Sequence, residues 1–240
     1  MFKNKKIIIF DMDGTLIDSI GIWNKVDMEL ISRLSPVTDI SEEMVQMQRD
    51  SLLRQYSSAE FPYIEYCRAL GERYASSLNS DEIHTLRYDI AQDFLRNEID
   101  YKKDAELFLR ELKGQGYLLV IASTTRKKNM DIYRFQNGNL MKKAPIDDVF
   151  SAVYTREDAQ EIKPHPEIYL RVLKEFCSVP EECLVFEDSL IGIEASKAAG
   201  LETVAIYDRY SDPDRGQINR LADHQIRDYA EALMLLHNRE

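Results

Sequence analysis

The sequence places two carboxylates directly after an apolar run near its amino terminus. Residues 7–10 are all apolar and are followed by Asp11, Asp13 and Gly14. A run that is apolar throughout is typical of a central parallel strand, and parallel sheets bind ligands at the carboxyl ends of their strands. Asp11 and Asp13 share one face of an extended chain, and Gly14 permits a sharp turn. Because neighbouring carboxylates raise each other's pKa unless a cation neutralises them, the pattern indicates a cation site, with a surface turn as the alternative.

Three further groups of polar residues follow predicted strands. They are Ser123 with Thr124, Lys163, and Glu187 with Asp188. Taken singly, each has an ordinary explanation, since hydroxyls and carboxylates cap helices and an isolated lysine is usually solvated. Taken together with the first carboxylate pair, they predict a site for a divalent cation and a phosphoryl group.

Short β-rich runs alternate with segments of helical pattern along most of the chain. The runs cover residues 6–10, 117–122, 149–154, 183–186 and 203–206. Asp104 is predicted to cap an amphipathic helix that Gly114 can close. The region 126–146 is the least periodic, and we expect one helix followed by a long loop there. The alternation as a whole predicts an α/β fold with a doubly wound parallel sheet.

One interval interrupts this alternation with helices alone. Between residue 18 and about residue 98 the pattern predicts four helical stretches and no strand. Their predicted starts lie near Trp23, Ser41, Pro62 and Ser80. We therefore expect a core domain of residues 1–17 and 99–240, with residues 18–98 inserted as a helical bundle poised as a cap over the first carboxylate pair.

Composition excludes several classes of function. A net charge of -11, from 31 basic and 42 acidic residues, disfavours nucleic-acid binding. The apolar runs are too short to span a membrane or to act as a signal peptide, so we expect a cytoplasmic protein. Cys67, Cys177 and Cys183 form no close pair and are expected to be buried apolar residues rather than zinc ligands or disulfides.

The four motifs, in this order, resemble those of the haloacid dehalogenase-like superfamily, in the subgroup whose helical cap follows the first motif. The matching strings are DMDGTLIDS, IASTT, KPHPEIY and LVFEDSLIGIEASKAAG. The resemblance runs over nearly the whole chain, and the last string is highly specific. It implies a Rossmann-like core with an inserted cap.

The resemblance also implies roles for the motif residues. Asp11 would be the nucleophile that forms an aspartyl-phosphate, and Asp13 the general acid and base, with its backbone carbonyl facing the metal. Lys163 would bind the transferring phosphoryl group and offset the charge of Asp11. An aspartate at position 13 favours phosphoryl transfer, because relatives that cleave carbon–halogen or carbon–phosphorus bonds lack it.

The remaining motif residues are implied to bind phosphate or metal. Ser123, with Thr124 beside it, would bind the phosphoryl oxygens. Asp188, with Glu187 directly or through water, would complete the shell of a Mg²⁺ ion whose other ligands are Asp11 and Asp13. Oxygen ligands of this kind suit Mg²⁺.

Two positions bear on the choice between phosphatase and mutase. Trp23 occupies the place where β-phosphoglucomutases carry a hinge histidine, which favours hydrolysis. Arg49 lies in a segment resembling the one by which those mutases hold a distal phosphate, so it is a candidate substrate ligand; an exposed helical arginine is the alternative. We therefore predict a Mg²⁺-dependent phosphatase acting on a small phosphorylated metabolite. A phosphosugar mutase and a phosphate-ligand sensor remain alternatives, and the sequence leaves the oligomeric state open.

Overall fold

The computed structural model describes residues 1–35, 40–56 and 59–238. The chain forms two compact units. One contains Met1–Ile20 and Ile99–Glu240, and the other contains Gly21–Glu98. The first unit is an α/β fold and the second is helical in its described part.

The first unit is built on a six-stranded sheet in the order β3-β2-β1-β4-β5-β6, in which every neighbouring pair is parallel. The strands are β1 Ile7–Phe10, β2 Leu118–Ala122, β3 Ala152–Tyr154, β4 Cys183–Glu187, β5 Glu202–Ile206 and β6 His224–Ile226. Ile9 of β1 is in register with Val120 on one side and Val185 on the other. The predicted parallel sheet is confirmed, with β6 as an additional strand.

Four α-helices lie in the described residues of the second unit. They are α1 Ile22–Leu34, α2 Glu42–Gln55, α3 Pro62–Arg73 and α4 Ser80–Asn97. Pro62 begins α3, where its missing N–H costs no hydrogen bond. Asn79 caps α4 in a capping box with Glu82. The helices share a buried apolar core that includes Val26, Leu30, Tyr66, Leu70, Ile83 and Ile90.

Eight α-helices accompany the sheet of the first unit in the described residues. They are α5 Ala105–Gly114, α6 Lys127–Phe135, α7 Gly138–Lys143, α8 Ile146–Val149, α9 Glu167–Glu175, α10 Leu190–Ala198, α11 Arg215–Leu221 and α12 Tyr229–His237. On one face of the sheet, Phe10 stacks on Phe186 with ring centroids 5.0 Å apart, and Phe108 packs against both. These buried rings pack across the parallel pair of β1 and β4, whose carboxyl ends lie at one edge of the sheet.

The prediction of one helix and a long loop for the region 126–146 was wrong. This region contains α6, α7 and the start of α8. The Asn137 side chain accepts the backbone N–H of Leu140 at 2.9 Å and so caps α7. A helix of six residues is too short for its periodicity to stand out in the sequence.

Two local predictions were wrong. Asp104 precedes α5 but adopts a left-handed conformation with φ of 66°, and within the described chain its side chain makes no capping hydrogen bond. Cys177 is exposed, in a left-handed turn with φ of 49°, whereas Cys67 and Cys183 are buried as expected. All three cysteines are free.

Among the described residues, no helix combines the length and apolar character that crossing a membrane requires.

Candidate active site

Four predicted site residues meet at the carboxyl edge of the sheet. Asp11 directly follows β1, Ser123 directly follows β2, and Glu187 is the last residue of β4. Lys163 lies in the segment between β3 and α9. All four are buried. Because parallel strands end at the same edge, Lys163 contacts Asp11 across 152 positions of sequence.

The Lys163 ammonium group uses all three of its N–H donors within the protein. It donates to Asp11 Oδ1 and Glu187 Oε1, each at 2.6 Å, and to the Ala122 carbonyl at 2.9 Å. Burial disfavours the charged form of Lys163, but the two carboxylates outweigh it and raise the pKa of Lys163 well above its usual range. Lys163 is therefore a fixed positive charge beside Asp11.

Asp11 lies in a more negative environment than one lysine can balance. Its burial is the main reason that the pKa of Asp11 is raised well above the usual range; Lys163 opposes this effect, and the charges of Glu187 and Asp188 add to it. An additional cation would relieve this repulsion and stabilise the ionised carboxylate.

Asp188 lies beside a tight turn. Thr15 donates from its hydroxyl to Asp188 Oδ1 at 2.8 Å. Gly14 has φ of 84°, and a Cβ at this position would lie 2.5 Å from Asp188 Oδ2, so only glycine fits. Burial, reinforced by the charge of Glu187 and opposed by the hydrogen bond from Thr15, raises the pKa of Asp188 to about 7.

The three carboxylates form a group that could hold a metal ion. Asp11, Glu187 and Asp188 are buried, and each offers one oxygen within 4.8 Å of the other two. When all three are ionised, the single ammonium of Lys163 leaves two negative charges uncompensated. An all-oxygen donor set with excess negative charge suits a hard divalent cation such as Mg²⁺. The residues present therefore fit the predicted metal.

Glu187 has its own supporting residue. Tyr169 in α9 is fully buried and donates from its hydroxyl to Glu187 Oε1 at 2.7 Å, the same oxygen that Lys163 contacts. Burial and the charge of Glu187 raise the pKa of Tyr169 well above its usual range, so the phenol stays protonated and remains a donor. Glu187 Oε2 accepts a longer hydrogen bond from Ser189, at 3.3 Å.

Asp13 is not a member of the cluster of Asp11, Glu187 and Asp188, and its carboxylate accepts hydrogen bonds from hydroxyl groups. Ser19 donates to its Oδ1 at 2.6 Å and Tyr133 donates to the same oxygen at 3.1 Å. Thr125 donates to Oδ2. The side chains of Asp13 and Asp11 therefore have different hydrogen-bond partners, although only one residue lies between them.

The segment after β2 contributes Ser123 and Thr125. The Ser123 hydroxyl donates to Thr125 Oγ1 at 3.0 Å, and the Thr125 backbone N–H donates to Ser123 Oγ at 3.1 Å. Thr124 is half-buried, and no hydrogen bond within the described residues involves it. Phosphate binding by Ser123 and Thr124 stays a prediction.

Arg49 lies in a charged network of the second unit. It donates to Asp27 Oδ2 at 2.9 Å and to Asn24 Oδ1 at 2.8 Å. Arg87 donates to Asp27 Oδ1 at 2.6 Å, and its guanidinium lies 5.1 Å from the centroid of the Trp23 ring. The Arg49 side chain is only 13% exposed, so the alternative of an exposed helical arginine is wrong. Its role as a substrate ligand stays a prediction.

Several residues of this site were missed from the sequence. Thr15 and Tyr169 lie inside the motif strings, which could have marked them as site residues. Their hydrogen bonds to Asp188 and Glu187 could not be predicted from the sequence. Thr125 is the last residue of the second string. Tyr133 lies outside every motif, in α6, and its hydroxyl reaches Asp13 only through the folding of the chain.

The chain belongs to the haloacid dehalogenase-like hydrolase family, whose model matches residues 8–206. That span includes all the motif residues from Asp11 to Asp188. The resemblance predicted from the sequence is therefore confirmed.

Similar proteins support the same enzyme class. The Bacillus subtilis protein named "Putative phosphatase YhcW" is 29% identical over 201 residues, which are 84% of this chain and 83% of that protein. Protein CbbY of Rhodobacter capsulatus is 28% identical over 244 residues, covering 95% of each chain. The prediction of a haloacid dehalogenase-like phosphatase is confirmed at the level of family and enzyme class.

The fold also matches a solved structure. A protein of Thermotoga maritima, described as a putative beta-phosphoglucomutase, superposes with a TM-score of 0.74. The match covers 98% of this chain and 100% of that one, at 21% sequence identity. At this identity the likeness concerns the fold alone, and it confirms the Rossmann-like α/β architecture.

Proposed function

We propose that the chain is a Mg²⁺-dependent phosphatase that hydrolyses a small phosphorylated metabolite, a sugar phosphate or a nucleotide, through an aspartyl-phosphate on Asp11. One observation carries the proposal: the Asp11 carboxylate lies 2.6 Å from the Lys163 ammonium, within a buried group of carboxylates. A phosphate dianion can approach a carboxylate nucleophile only where cations offset the repulsion between them. Lys163 and a bound cation would do this together.

The reaction would proceed in two steps. In the first, an Asp11 oxygen bonds to phosphorus, the bond from phosphorus to the leaving oxygen breaks, and Asp13 gives its proton to that oxygen. In the second, Asp13 takes a proton from water, the water oxygen bonds to phosphorus, and the bond from phosphorus to Asp11 breaks. Asp11 and the protonated Asp13 are thereby regenerated, and inorganic phosphate leaves.

The metal ligands would be Asp11, Glu187, Asp188 and the Asp13 backbone carbonyl. When bound, Mg²⁺ supplies positive charge that polarises the phosphoryl oxygens and stabilises the transition state. Lys163 opposes protonation of Asp11 and orients its carboxylate, because its ammonium bonds to Asp11 and to the Ala122 carbonyl at once. Ser123 and Thr124 would bind the remaining phosphoryl oxygens.

The helical insertion, residues 18–98, would act as a cap that selects the leaving group and excludes bulk water. Trp23 favours water as the acceptor of the phosphoryl group, since an indole cannot shuttle protons as a histidine can. Arg49 is the candidate ligand for a second anionic group of the substrate. The partner is therefore a small metabolite, with neither nucleic acid nor membrane involved.

A panel of phosphorylated metabolites, assayed for free phosphate with Mg²⁺ and after exhaustive chelation, tests the proposal. We expect Mg²⁺-dependent release of phosphate from one class of metabolite, with Mn²⁺ or Co²⁺ as replacements and Ca²⁺ as a poor one. Full activity after chelation would contradict the metal role. Slow turnover beside tight binding would favour the phosphate-ligand sensor.

A second assay separates the phosphatase from the mutase. The enzyme is incubated with β-glucose 1-phosphate and a trace of the 1,6-bisphosphate. Phosphate release without isomerisation supports hydrolysis. Rapid formation of glucose 6-phosphate with little free phosphate would overturn it.

A further inference from the structure

Hydroxyl groups from three separate segments surround the Asp13 carboxylate. Ser19 is the last residue of the first motif, Thr125 follows β2, and Tyr133 belongs to α6. Ser19 and Tyr133 donate to Oδ1, at 2.6 and 3.1 Å, while Thr125 donates to Oδ2. Each carboxylate oxygen therefore has a donor that the protein fixes in place. Such an arrangement sets the orientation of the carboxylate as well as its position.

Tyr133 is the most constrained of these donors. It is 2% exposed and lies on the buried side of α6 with Met130 and Ile132. A phenol buried this deeply needs a partner for its hydroxyl, and Asp13 Oδ1 is that partner. The aromatic ring is held by packing, so its hydroxyl has little freedom to move away from Asp13.

Thr125 links Asp13 to the residue predicted to bind phosphate. Its hydroxyl donates to Asp13 Oδ2 and accepts a hydrogen bond from Ser123 at 3.0 Å. Thr125 is anchored in turn by its backbone N–H, which donates to Ser123 Oγ. A short chain of hydrogen-bonded hydroxyls thus joins Asp13, the proposed acid and base, to the segment predicted to bind phosphate.

We propose that Tyr133 and Thr125 are positioning residues for the reaction: they hold the Asp13 carboxylate so that it exchanges a proton first with the leaving oxygen and then with water. This inference rests on the proposed function, in which Asp13 is the general acid and base. Neither residue needs to touch the substrate for this role.

The expected effect depends on the leaving group. General acid and base catalysis contributes about 10²–10⁴-fold, so a misoriented Asp13 should lose part of that factor, about 10-fold in kcat. p-Nitrophenol leaves readily without a proton, so kcat/KM for p-nitrophenyl phosphate should stay near the wild-type value. An alkyl phosphate needs the acid, so its kcat/KM should fall as well. Hydrolysis of the aspartyl-phosphate needs the base with either substrate, so the phosphoenzyme should accumulate.

The test compares Tyr133→Phe and Thr125→Val with wild type, Asp13→Asn and the control Tyr154→Phe. Tyr154 also donates its hydroxyl to a carboxylate, that of Glu175 at 2.7 Å, but this pair lies outside the site. Steady-state kinetics on both substrates are combined with acid-quench measurement of the phosphoenzyme and with thermal melting. The proposal predicts the leaving-group dependence and the accumulated phosphoenzyme in both variants, and wild-type kinetics in Tyr154→Phe.

Two outcomes would overturn the proposal. If Tyr133→Phe and Thr125→Val behave like Tyr154→Phe while Asp13→Asn shows the leaving-group dependence, positioning fails and the proposed function stands. If Asp13→Asn itself lacks that dependence, the assigned role of Asp13 fails, and the positioning role fails with it. Should Tyr133→Phe melt far below wild type, Thr125→Val decides the question alone.

Discussion

The Glu187 carboxylate fills the space that a side chain at Gly192 would need. Gly192 lies in the first turn of α10, and a Cβ there would overlap the Glu187 carboxylate carbon and both of its oxygens. Because Glu187 is also bound to Lys163 and Tyr169, it cannot move aside without breaking those hydrogen bonds. The close approach of α10 to the Glu187 carboxylate is therefore part of the structure of the candidate metal site.

Gly192→Ala should consequently damage the site from a position that bears no functional group. We expect a loss of about 1–3 kcal/mol in the free energy of unfolding from overpacking. We also expect a higher Mg²⁺ concentration to be needed for half-maximal activity. Gly114→Ala is the matched control, because a Cβ at that helical position meets no atom of the described chain within 4 Å. Chemical denaturation and a Mg²⁺ titration of activity measure both effects. Equal behaviour of the two variants would contradict the packing argument.

The two aspartates of the first motif should respond differently to substitution. Asp11→Asn should abolish both turnover and the phosphoenzyme, since an amide is not a nucleophile for phosphorus. Asp13→Asn should lower turnover by about 10²–10⁴-fold, with a milder defect in phosphoenzyme formation from p-nitrophenyl phosphate. Acid-quench trapping with labelled substrate distinguishes the steps. Ordinary turnover by Asp11→Asn would refute the assignment of the nucleophile.

The pH dependence of stability should change sign when metal is added. Without metal, Asp188 has a pKa of about 7, compared with 3.8 for an unperturbed aspartate. Between these values the folded protein holds a proton that the unfolded chain has lost, so the stability contributed by Asp188 is complete below the lower pKa and is lost as pH rises through the higher one. Asp11, whose pKa is also raised, acts in the same direction. The proposed Mg²⁺ ion would bind the ionised carboxylates, so stabilisation by Mg²⁺ should instead grow as pH rises towards 7 and above.

Melting temperatures between pH 5 and 8, in a chelator and in saturating Mg²⁺, check this expectation. Asp188→Asn removes the titrating group and should weaken both trends. A metal-free protein whose melting temperature rises steadily from pH 5 to 7 in wild type and variant alike would speak against it.

The buried charges of the second unit should matter more for folding than exposed ones. Asp27 is fully buried and accepts hydrogen bonds from both Arg87 and Arg49. Removing Arg87, which is 8% exposed, leaves Arg49 as the one cationic partner of Asp27 among the described residues, and breaking a buried ion pair costs about 3–5 kcal/mol. Arg87→Met should therefore unfold at clearly lower urea concentration than the control Arg73→Met on the exposed surface of α3. Similar midpoints for the two variants would contradict this.

The sequence predicted those parts of the fold and site that depend on local patterns. The strands that end just before Asp11 and Ser123 and at Glu187 were identified because apolar runs followed by polar residues have a distinct signature. β6 was missed because three residues, two of them polar, carry no such signature. The residue type of Asp104 favours a helix cap, but its backbone is left-handed and its side chain makes no capping hydrogen bond within the described chain.

Contacts formed by packing were beyond the reach of sequence patterns. Tyr133 and Asp13 are 120 residues apart, and only the folding of the chain brings the Tyr133 hydroxyl to the Asp13 carboxylate. Similarly, nothing in the sequence shows that Arg49 shares the Asp27 carboxylate with Arg87, because that depends on how three helices pack. Such residues become visible only when burial and hydrogen bonding are known.

Arg49 provides the last prediction, which concerns substrate choice. If Arg49 binds a second anionic group of the substrate, Arg49→Ala should raise KM for a substrate with two such groups by about 10-fold or more, since hydrogen bonds to charged groups contribute about 1.5–3 kcal/mol. KM for p-nitrophenyl phosphate, which has no second anion, should change little. The control is Arg33→Ala, because Arg33 is an exposed arginine of α1 paired only with Glu29 among the described residues. Equal increases of KM for both substrates would instead show that Arg49 serves the packing of the helices through Asp27 and Asn24.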